Sequence, residues 1–238
     1  MTSKIGTLRE SSLHAALKAY YARVDDRLEV AVDGYCVDIL QCSPTGNEQG
    51  VVEIQTGNFS ALRSKLPSLL ATYPVTVVYP IPLECYIQRV GRDESGREVV
   101  LSRRKSPKRG RIEALFSELV YLGKLAVHPC FSLKLAMIRE TQIRRDDGRG
   151  SWRRRGVSIV DRRLDSVIEE RAFRRPADYL QLIPETLPEP FSVKALAAAS
   201  QLSPHLAGTM AYTLRKMGAI RLVGKQRNAH LYEKAQVV

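Results

Sequence analysis

The alternation of apolar and polar residues near the start of the chain predicts a β-hairpin followed by a third strand. Residues 28–32 alternate up to Asp33-Gly34, a dipeptide that favours a two-residue hairpin turn, and residues 35–40 supply the return strand. After a polar loop, the apolar run at residues 51–55 predicts the third strand. The return strand and the third strand are therefore expected to lie side by side.

A helix and a buried strand follow. Asn58 is a favourable N-cap for a helix over residues 59–70, whose apolar positions recur at helical spacing. Beyond Pro74, the uncharged β-branched run at residues 75–79 suits a buried central strand.

Two carboxylates, Asp38 and Glu53, lie on the predicted neighbouring strands, and strand alternation puts Glu53 on the same face as Gln55. A carboxylate in an apolar strand is costly unless it is paired, hydrogen-bonded or bound to a cation. Two such groups would repel each other, and a divalent cation would resolve the conflict. The alternative is that both acids cap a solvated sheet face, but the complete order of elements favours a metal site.

This order resembles the PD-(D/E)xK nuclease superfamily, which has the restriction-endonuclease-like fold. On this resemblance, Asp38 corresponds to the first motif acid, Glu53 to the second and Gln55 to the motif lysine. Some members carry a further metal-site acid on the preceding helix, and Glu10 holds that position here. The resemblance covers residues 1–90.

The sequence departs from the motif at two positions. No proline precedes Asp38, and that proline varies among members. Gln55 offers an amide where lysine would supply a positive charge, although Glu-x-Gln versions occur among active members. Arg63 and Lys65, on the predicted helix, could supply the missing charge.

The resemblance implies a metal-dependent phosphodiesterase. The carboxylates of Asp38 and Glu53 and the carbonyl of Ile54 would hold Mg²⁺ or Mn²⁺, which are hard cations that prefer oxygen ligands. The cation would activate a water molecule oriented by Gln55, and the product would be a cut phosphodiester.

Positive charge is concentrated in the middle of the chain. The net charge is +12, and residues 91–175 carry 22 Lys and Arg against 12 Asp and Glu. Residues 1–90 carry 8 against 9. This distribution is expected if an acidic catalytic segment is served by a separate phosphate-binding surface.

Composition narrows the functional classes further. A hydrophobic fraction of 44% is enough for an ordinary core. No apolar run approaches the length of a membrane span, and the first residues lack the apolar stretch of a secretory signal, so we expect a cytoplasmic protein with no membrane partner. No Walker-type loop is present, so ATP is not implied.

The most basic run is residues 102–111, with the sequence SRRKSPKRGR. Its proline and glycine predict a loop outside regular structure, and its unbalanced charge favours contact with a phosphate backbone. The alternative is a solvated charged loop. The candidate contacts are Arg103, Arg104, Lys105, Lys108, Arg109 and Arg111.

Several elements are predicted around further basic residues. Residues 112–122 predict an amphipathic helix with Glu113 and Glu118 on its solvated face, although one of these acids could approach the metal. Residues 131–139 and 157–160 predict a long hairpin, and residues 164–173 predict a helix.

The predicted hairpin has a basic tip, where Arg153, Arg154 and Arg155 are candidate phosphate contacts. Trp152, the single tryptophan, either stacks on a nucleobase or anchors the hairpin.

The last part of the chain resembles a winged-helix domain. Two helices at residues 193–199 and 205–217 are followed by short strands at 219–223 and 229–233. In such domains the second helix enters the major groove of DNA and the wing contacts the backbone, whereas other members bind proteins instead. The candidate contacts are His205, Thr209, Tyr212, Thr213, Arg215 and Lys216 on the second helix, with Lys225 and Arg227 on the wing.

Together these patterns predict an α/β protein of three parts. A restriction-endonuclease-like αβββαβ core (residues 1–90) precedes a basic α+β extension with a hairpin (91–175) and a winged helix-turn-helix domain (176–238). The whole chain is also similar to uncharacterised bacterial proteins of this architecture.

The expected function is a metal-dependent DNA nuclease acting on duplex or branched DNA, and cutting both strands with one site per chain would favour a homodimer. The alternative is a catalytically inactive nuclease-fold protein that binds DNA, such as a transcriptional regulator.

Overall fold

The protein is a mixed α/β structure, as the sequence predicts, and the computed structural model describes residues 11–236. The helices are α1 (Ser12–Tyr21), α2 (Leu62–Thr72), α3 (Phe116–Leu119), α4 (Pro176–Leu180), α5 (Val193–Ala199) and α6 (Pro204–Lys216). The strands are β1 (Arg27–Val32), β2 (Tyr35–Cys42), β3 (Glu48–Ile54), β4 (Val75–Arg92), β5 (Glu98–Lys105), β6 (Phe131–Asp146), β7 (Val157–Phe173), β8 (Phe191–Ser192), β9 (Ile220–Gln226) and β10 (Ala229–Lys234).

Seven strands pair in the order β1-β2-β3-β4-β6-β7, with β5 paired to β4, and a smaller sheet has the order β8-β10-β9. The chain divides into two compact units. The first, here called the motif unit, contains Asp25–Tyr79, Arg111–Lys134 and the chain from Arg171 onwards. The second, here called the basic unit, contains the chain up to Val24, Pro80–Gly110 and Leu135–Glu170. The three predicted domains stay a prediction.

In the motif unit, the predicted hairpin is present, and β4 pairs with β3. Asp33 and Gly34 have φ angles of 48° and 80°, the left-handed conformation that a tight hairpin turn between β1 and β2 requires. Strands β3 and β4 are parallel, so the chain must cross over between them, and α2 forms part of that crossover. Leu62, Leu66 and Leu69 of α2 are buried, as their spacing predicts.

Asn58 does not cap α2 as predicted. It adopts a left-handed conformation, and its side chain accepts a hydrogen bond from the hydroxyl of Ser60. A 3-10 turn, Phe59–Ala61, then leads into the helix. The helix therefore begins three residues later than predicted.

Three predictions for the middle of the chain are corrected. Residues 164–173 are part of β7 rather than a helix, because pairing in the sheet overrides a pattern of apolar residues that also fits a helix. Residues 102–105 of the predicted loop lie in β5, where β4 supplies hydrogen-bonding partners. The helix predicted at residues 112–122 is reduced to a 3-10 turn, Ile112–Leu115, and one turn of α3.

The predicted helix pair and following hairpin are present near the end of the chain. Ser192 and Ser203 begin α5 and α6 by accepting hydrogen bonds from backbone N–H groups three residues ahead. Gly218, with a φ of 76°, ends α6 before β9. None of the helices in the described range is long and apolar enough to cross a membrane.

Candidate active site

Asp38 and Glu53 lie together at the end of a strand ladder in the motif unit. The antiparallel pairs between β2 and β3 run from Cys42↔Glu48 to Ile39↔Val52, and Asp38 and Glu53 are the residues directly beyond that last pair. There, Oδ2 of Asp38 accepts a hydrogen bond of 2.8 Å from the backbone N–H of Ile54. The Asp38 side chain on β2 thus accepts from a backbone N–H of β3 where the ladder ends.

Glu53 is a buried acid with a perturbed pKa. Its side chain is 5% exposed, and Oε2 lies 2.7 Å from the ammonium group of Lys65. Burial raises the pKa of Glu53 to about 7; the charge of Lys65 opposes that shift, and the charge of Asp38 adds to it. Within the described part of the chain, Oε1 of Glu53 is buried without a hydrogen-bond partner.

Lys65 reaches the acids from α2. Besides Glu53, its ammonium group donates to the backbone carbonyl of Cys36 on β2. Arg63, the other cation of this helix, is exposed and has no ion-pair partner among the described residues. Of the two cations that the sequence offered, Lys65 is the one beside Glu53.

Gln55 follows β3, and its side-chain amide is hydrogen-bonded to the backbone. Its Nε2 donates to the carbonyls of Gly57 and Asn58, in the turn that leads to α2. Glu10, the predicted additional acid, lies outside the described residues.

Glu118 is a contact that sequence reasoning missed. It was expected to be solvated, but Oε2 accepts a hydrogen bond of 2.9 Å from the backbone N–H of Phe59. The first N–H groups of a helical segment lack partners within that segment, so an acceptor was needed there. Nothing in the local sequence indicates that it would come from α3.

The oxygen atoms around Glu53 supply only some of the ligands that a hard cation requires. Asp38 and Glu53 supply carboxylate oxygens, and the unpartnered Oε1 of Glu53 is a suitable donor. Among the described residues, however, no group of three or more His, Cys, Asp or Glu side chains is placed to hold a metal. A cation here would take its remaining ligands from backbone carbonyls such as that of Ile54, from water or from substrate.

The predicted basic run is divided between the two faces of β5 in the basic unit. Arg103 and Lys105 lie on the same face as Tyr86, with the Arg103 guanidinium 4.3 Å from the centroid of the ring. Lys105 donates to Glu84 at 2.7 Å. Strand alternation turns Arg104 to the opposite face.

Arg111 already has acceptors within the motif unit. Its guanidinium donates to the carbonyls of Ser200 and Gln201 at 2.6 and 2.9 Å and pairs with Glu113 at 3.3 Å. It therefore holds the turn between α5 and α6. Lys108 and Arg109 are exposed in the segment before it.

The tip before β7 is exposed. Trp152 is 83% exposed, so it does not anchor the hairpin, and the Arg153 guanidinium lies 5.5 Å from its ring centroid. Nε of Arg154 donates to the carbonyl of Val157 at 3.1 Å, and Arg155 has a left-handed φ of 50°.

Most of the predicted contacts on α6 are accessible. Tyr212, Arg215 and Lys216 are exposed, with the Lys216 ammonium 5.7 Å from the Tyr212 ring centroid. Thr213 is wrong as a contact, because it is fully buried and donates to the carbonyl of Thr209. An open groove of about 380 Å³ is lined by Val120, Pro204, His205, Gly208, Thr209 and Tyr212. Lys225 and Arg227 are exposed beside the turn between β9 and β10.

Comparison with known proteins places the chain in a family. Residues 11–174 match the model of a family described as Domain of unknown function (DUF8091). An uncharacterised protein of Treponema pallidum (strain Nichols) is 34% identical over 230 residues, which are 97% of this chain and 87% of the relative. No solved structure matches the chain. The chain belongs to the DUF8091 family.

Proposed function

We propose that this protein is a metal-dependent DNA nuclease related to the PD-(D/E)xK superfamily. The observation that carries the proposal is that Asp38, Glu53 and Lys65 lie together. One oxygen of the buried Glu53 carboxylate is paired, and the other has no hydrogen-bond partner among the described residues. Perturbed acids beside a cation are common at functional sites.

The order of elements supports the same fold assignment. Helix α1, the antiparallel strands β1 to β3, the crossover helix α2 and the parallel strand β4 follow the αβββαβ pattern of a restriction-endonuclease-like core. The motif acids would then lie on β2 and β3, where that fold carries them.

In this proposal, residues of the site hold the cation and set the charge of Glu53. Mg²⁺ or Mn²⁺, when bound by Asp38 and Glu53, would supply Lewis-acid stabilisation of negative charge on a phosphate. The ammonium group of Lys65 lies beside Glu53 and favours the ionised form of that carboxylate, which is the form that can bind a cation. In this proposal Lys65 takes the part of the motif lysine, and Gln55 fixes the turn before α2 through Gly57 and Asn58.

The end of the chain would position DNA. The order α4, β8, α5, α6, β9 and β10, with a three-stranded antiparallel sheet, supports a winged-helix assignment. Exposed Tyr212, Arg215 and Lys216 on α6 and Lys225 and Arg227 near the wing suit contacts with a duplex.

Cleavage assays test the proposal. Linear, nicked, branched and single-stranded DNA are incubated with Mg²⁺ or Mn²⁺ and the wild type, Asp38→Asn or Glu53→Gln. We expect metal-dependent cleavage that both substitutions abolish, while binding measured in EDTA is retained. Absence of cleavage by the wild type with either metal on every substrate would contradict the nuclease proposal.

A second candidate function is that of a DNA-binding protein without catalysis. It is favoured by the ion pair of Glu53 with Lys65, which balances the buried charge without a metal. On this alternative, Mn²⁺ would not bind at all, and Glu53→Gln would leave every DNA-related activity unchanged. Isothermal titration of the wild type with Mn²⁺ separates the two candidates.

A further inference from the structure

We infer that four arginines of the basic unit, Arg89, Arg104, Arg144 and Arg154, form a binding site for the phosphodiester backbone of nucleic acid. They come from β4, β5, β6 and the turn before β7, so they are distant in sequence. This set is here called the arginine basin. The inference rests on the proposed function because it assigns the surface that holds the DNA.

Strand register and electrostatic effects both group these arginines. Arg104 lies opposite Ile87 in the β4–β5 ladder, so Arg104 and Arg89 share one face of this strand pair. Partial burial is the main cause that lowers the pKa of Arg144, and the positive charges of Arg154, Arg104 and Arg89 lower it further. Like charges this close oppose one another, so the basin is unfavourable unless an anion is present.

Among the residues that the structure describes, the basin has little compensating negative charge. Arg89 makes a long ion pair of 3.9 Å with the exposed carboxylate of Asp146. Glu140, the buried acid of β6, is already engaged, because Arg162 donates to its Oε2 at 2.6 and 2.9 Å and Gln142 donates to its Oε1 at 2.8 Å. Within the described part of the chain, Arg104 and Arg144 have no ion-pair partner.

Arg144 has an unused donor. Its Nη2 donates to Oε1 of Gln142 at 2.7 Å, whereas its Nε is buried with no acceptor among the described residues. Guanidinium groups present several N–H donors in a plane that matches phosphate oxygens, so a phosphate would provide the missing acceptor and the missing negative charge.

On the opposite face of β5, in contrast, the cations have aromatic or acidic partners. Arg103 lies against Tyr86, and Lys105 is paired with Glu84, which Arg139 also contacts. The neighbouring arginines of the basic run therefore lie on different faces of β5. Arg104 belongs to the basin, whereas Arg103 lies on a face where the cations have aromatic or acidic partners. A repeating backbone with one charge per nucleotide suits several neighbouring guanidinium groups better than a single small anion does.

Equilibrium binding tests the basin. Affinity for a DNA duplex of about 24 base pairs, or about two helical turns, is measured in EDTA over a range of salt concentrations. The wild type is compared with the basin variant Arg104→Gln/Arg144→Gln and with a matched control, Arg92→Gln/Arg163→Gln. Both variants lose two positive charges, but Arg92 donates to the carbonyl of Gly96 in its own turn, and Arg163 pairs with Asp161. We expect the basin variant to lose about ten-fold in affinity and about two units of salt slope, and the control to change little.

The fluorescence of the single tryptophan, Trp152, provides a second readout, because it lies two residues from Arg154 and is exposed. At a DNA concentration close to the wild-type dissociation constant, DNA should protect it from iodide quenching in the wild type and the control and much less in the basin variant. Because Arg144 is partly buried, circular dichroism and thermal unfolding accompany each variant, and Arg89→Gln/Arg104→Gln replaces the first pair if folding is impaired.

The outcomes separate the two proposals. Equal affinity of the basin variant and the control would overturn the basin, whether or not the protein cleaves DNA. Loss of binding in the basin variant, with no cleavage by the wild type, would keep the basin and reject the nuclease. Wild-type protein that binds tripolyphosphate but no duplex or single strand would also overturn the basin as a nucleic-acid site.

Discussion

The ammonium group of Lys65 lies 2.7 Å from Oε2 of Glu53, so a cation from helix α2 is paired with an acid of strand β3. Gln55 is nearer to Glu53 in sequence but directs its amide to the turn at Gly57 and Asn58. The positive charge of the site therefore comes from the helix rather than from the strand.

Replacement of Lys65 should weaken cleavage and move its pH dependence. In Lys65→Met, Glu53 loses the charge that lowers its pKa, so that pKa rises above about 7. We expect cleavage at neutral pH to fall by about 100-fold and to recover in part at alkaline pH. Arg63→Met is the matched control on the same helix, and pH–rate profiles of both variants give the comparison. Equal profiles for the two would contradict a role for Lys65.

The stability of the metal-free protein should decrease as the pH rises. The pKa of Glu53 is about 7 in the folded state and 4.5 as a reference, so the folded state keeps a proton that the unfolded state has lost between these values. The free energy of unfolding should fall through this window by about 3 kcal/mol before other groups are considered. Urea unfolding at a series of pH values from below 4.5 to well above 7 measures it.

Glu53→Gln should flatten that pH dependence, because glutamine does not titrate. Asp33→Asn is a suitable control, since it replaces an exposed acid in the hairpin turn. If the wild type and Glu53→Gln show the same slope of stability against pH, Glu53 does not have the raised pKa that its burial implies.

Binding of Mn²⁺ should strengthen with pH through the same window. A cation binds the ionised carboxylate, so binding must displace a proton from Glu53 below about pH 7. Calorimetric titration in two buffers of different ionisation enthalpy should detect proton release at pH 6 and less of it at pH 8. Asp38→Asn should weaken the binding. Affinity independent of pH would contradict a site that includes Glu53.

Arg111 and Arg109 should have different roles although they are two residues apart. Arg111→Ala removes hydrogen bonds to the carbonyls of Ser200 and Gln201, so it should lower the free energy of unfolding by about 1 kcal/mol and speed amide exchange in the α5–α6 turn. Arg109→Ala should leave stability unchanged and reduce the salt dependence of DNA binding. The reverse assignment of these effects would mean that Arg111 is a phosphate contact.

The exposed cations at the end of α6 should contribute to DNA affinity. Arg215→Ala/Lys216→Ala should weaken duplex binding by about ten-fold and lower the salt slope by about two units. Lys124→Ala/Arg63→Ala removes the same charge from exposed positions elsewhere in the motif unit and serves as the control. Equal effects of the two variants would indicate a response to net charge alone, without a role for α6 as a recognition helix.

The sequence by itself determined features that depend on residues a few positions apart. The Asp33-Gly34 turn follows from the positive φ angles that such a hairpin needs, and Ser192 and Ser203 begin α5 and α6 because their hydroxyl groups reach nearby N–H groups. Strand alternation also indicated that Asp38 and Glu53 would lie close together.

Only the tertiary structure decided which distant groups meet. It selected Lys65 over Arg63 as the partner of Glu53, turned residues 164–173 into a strand, and separated Arg104 from Arg103 on opposite faces of β5. A pattern of apolar residues in a short segment fits more than one element, and the partner strands and the buried charges choose between them. Even the nearer of these partners, Lys65 and Glu53, are 12 residues apart, so the local sequence does not fix their distance or direction.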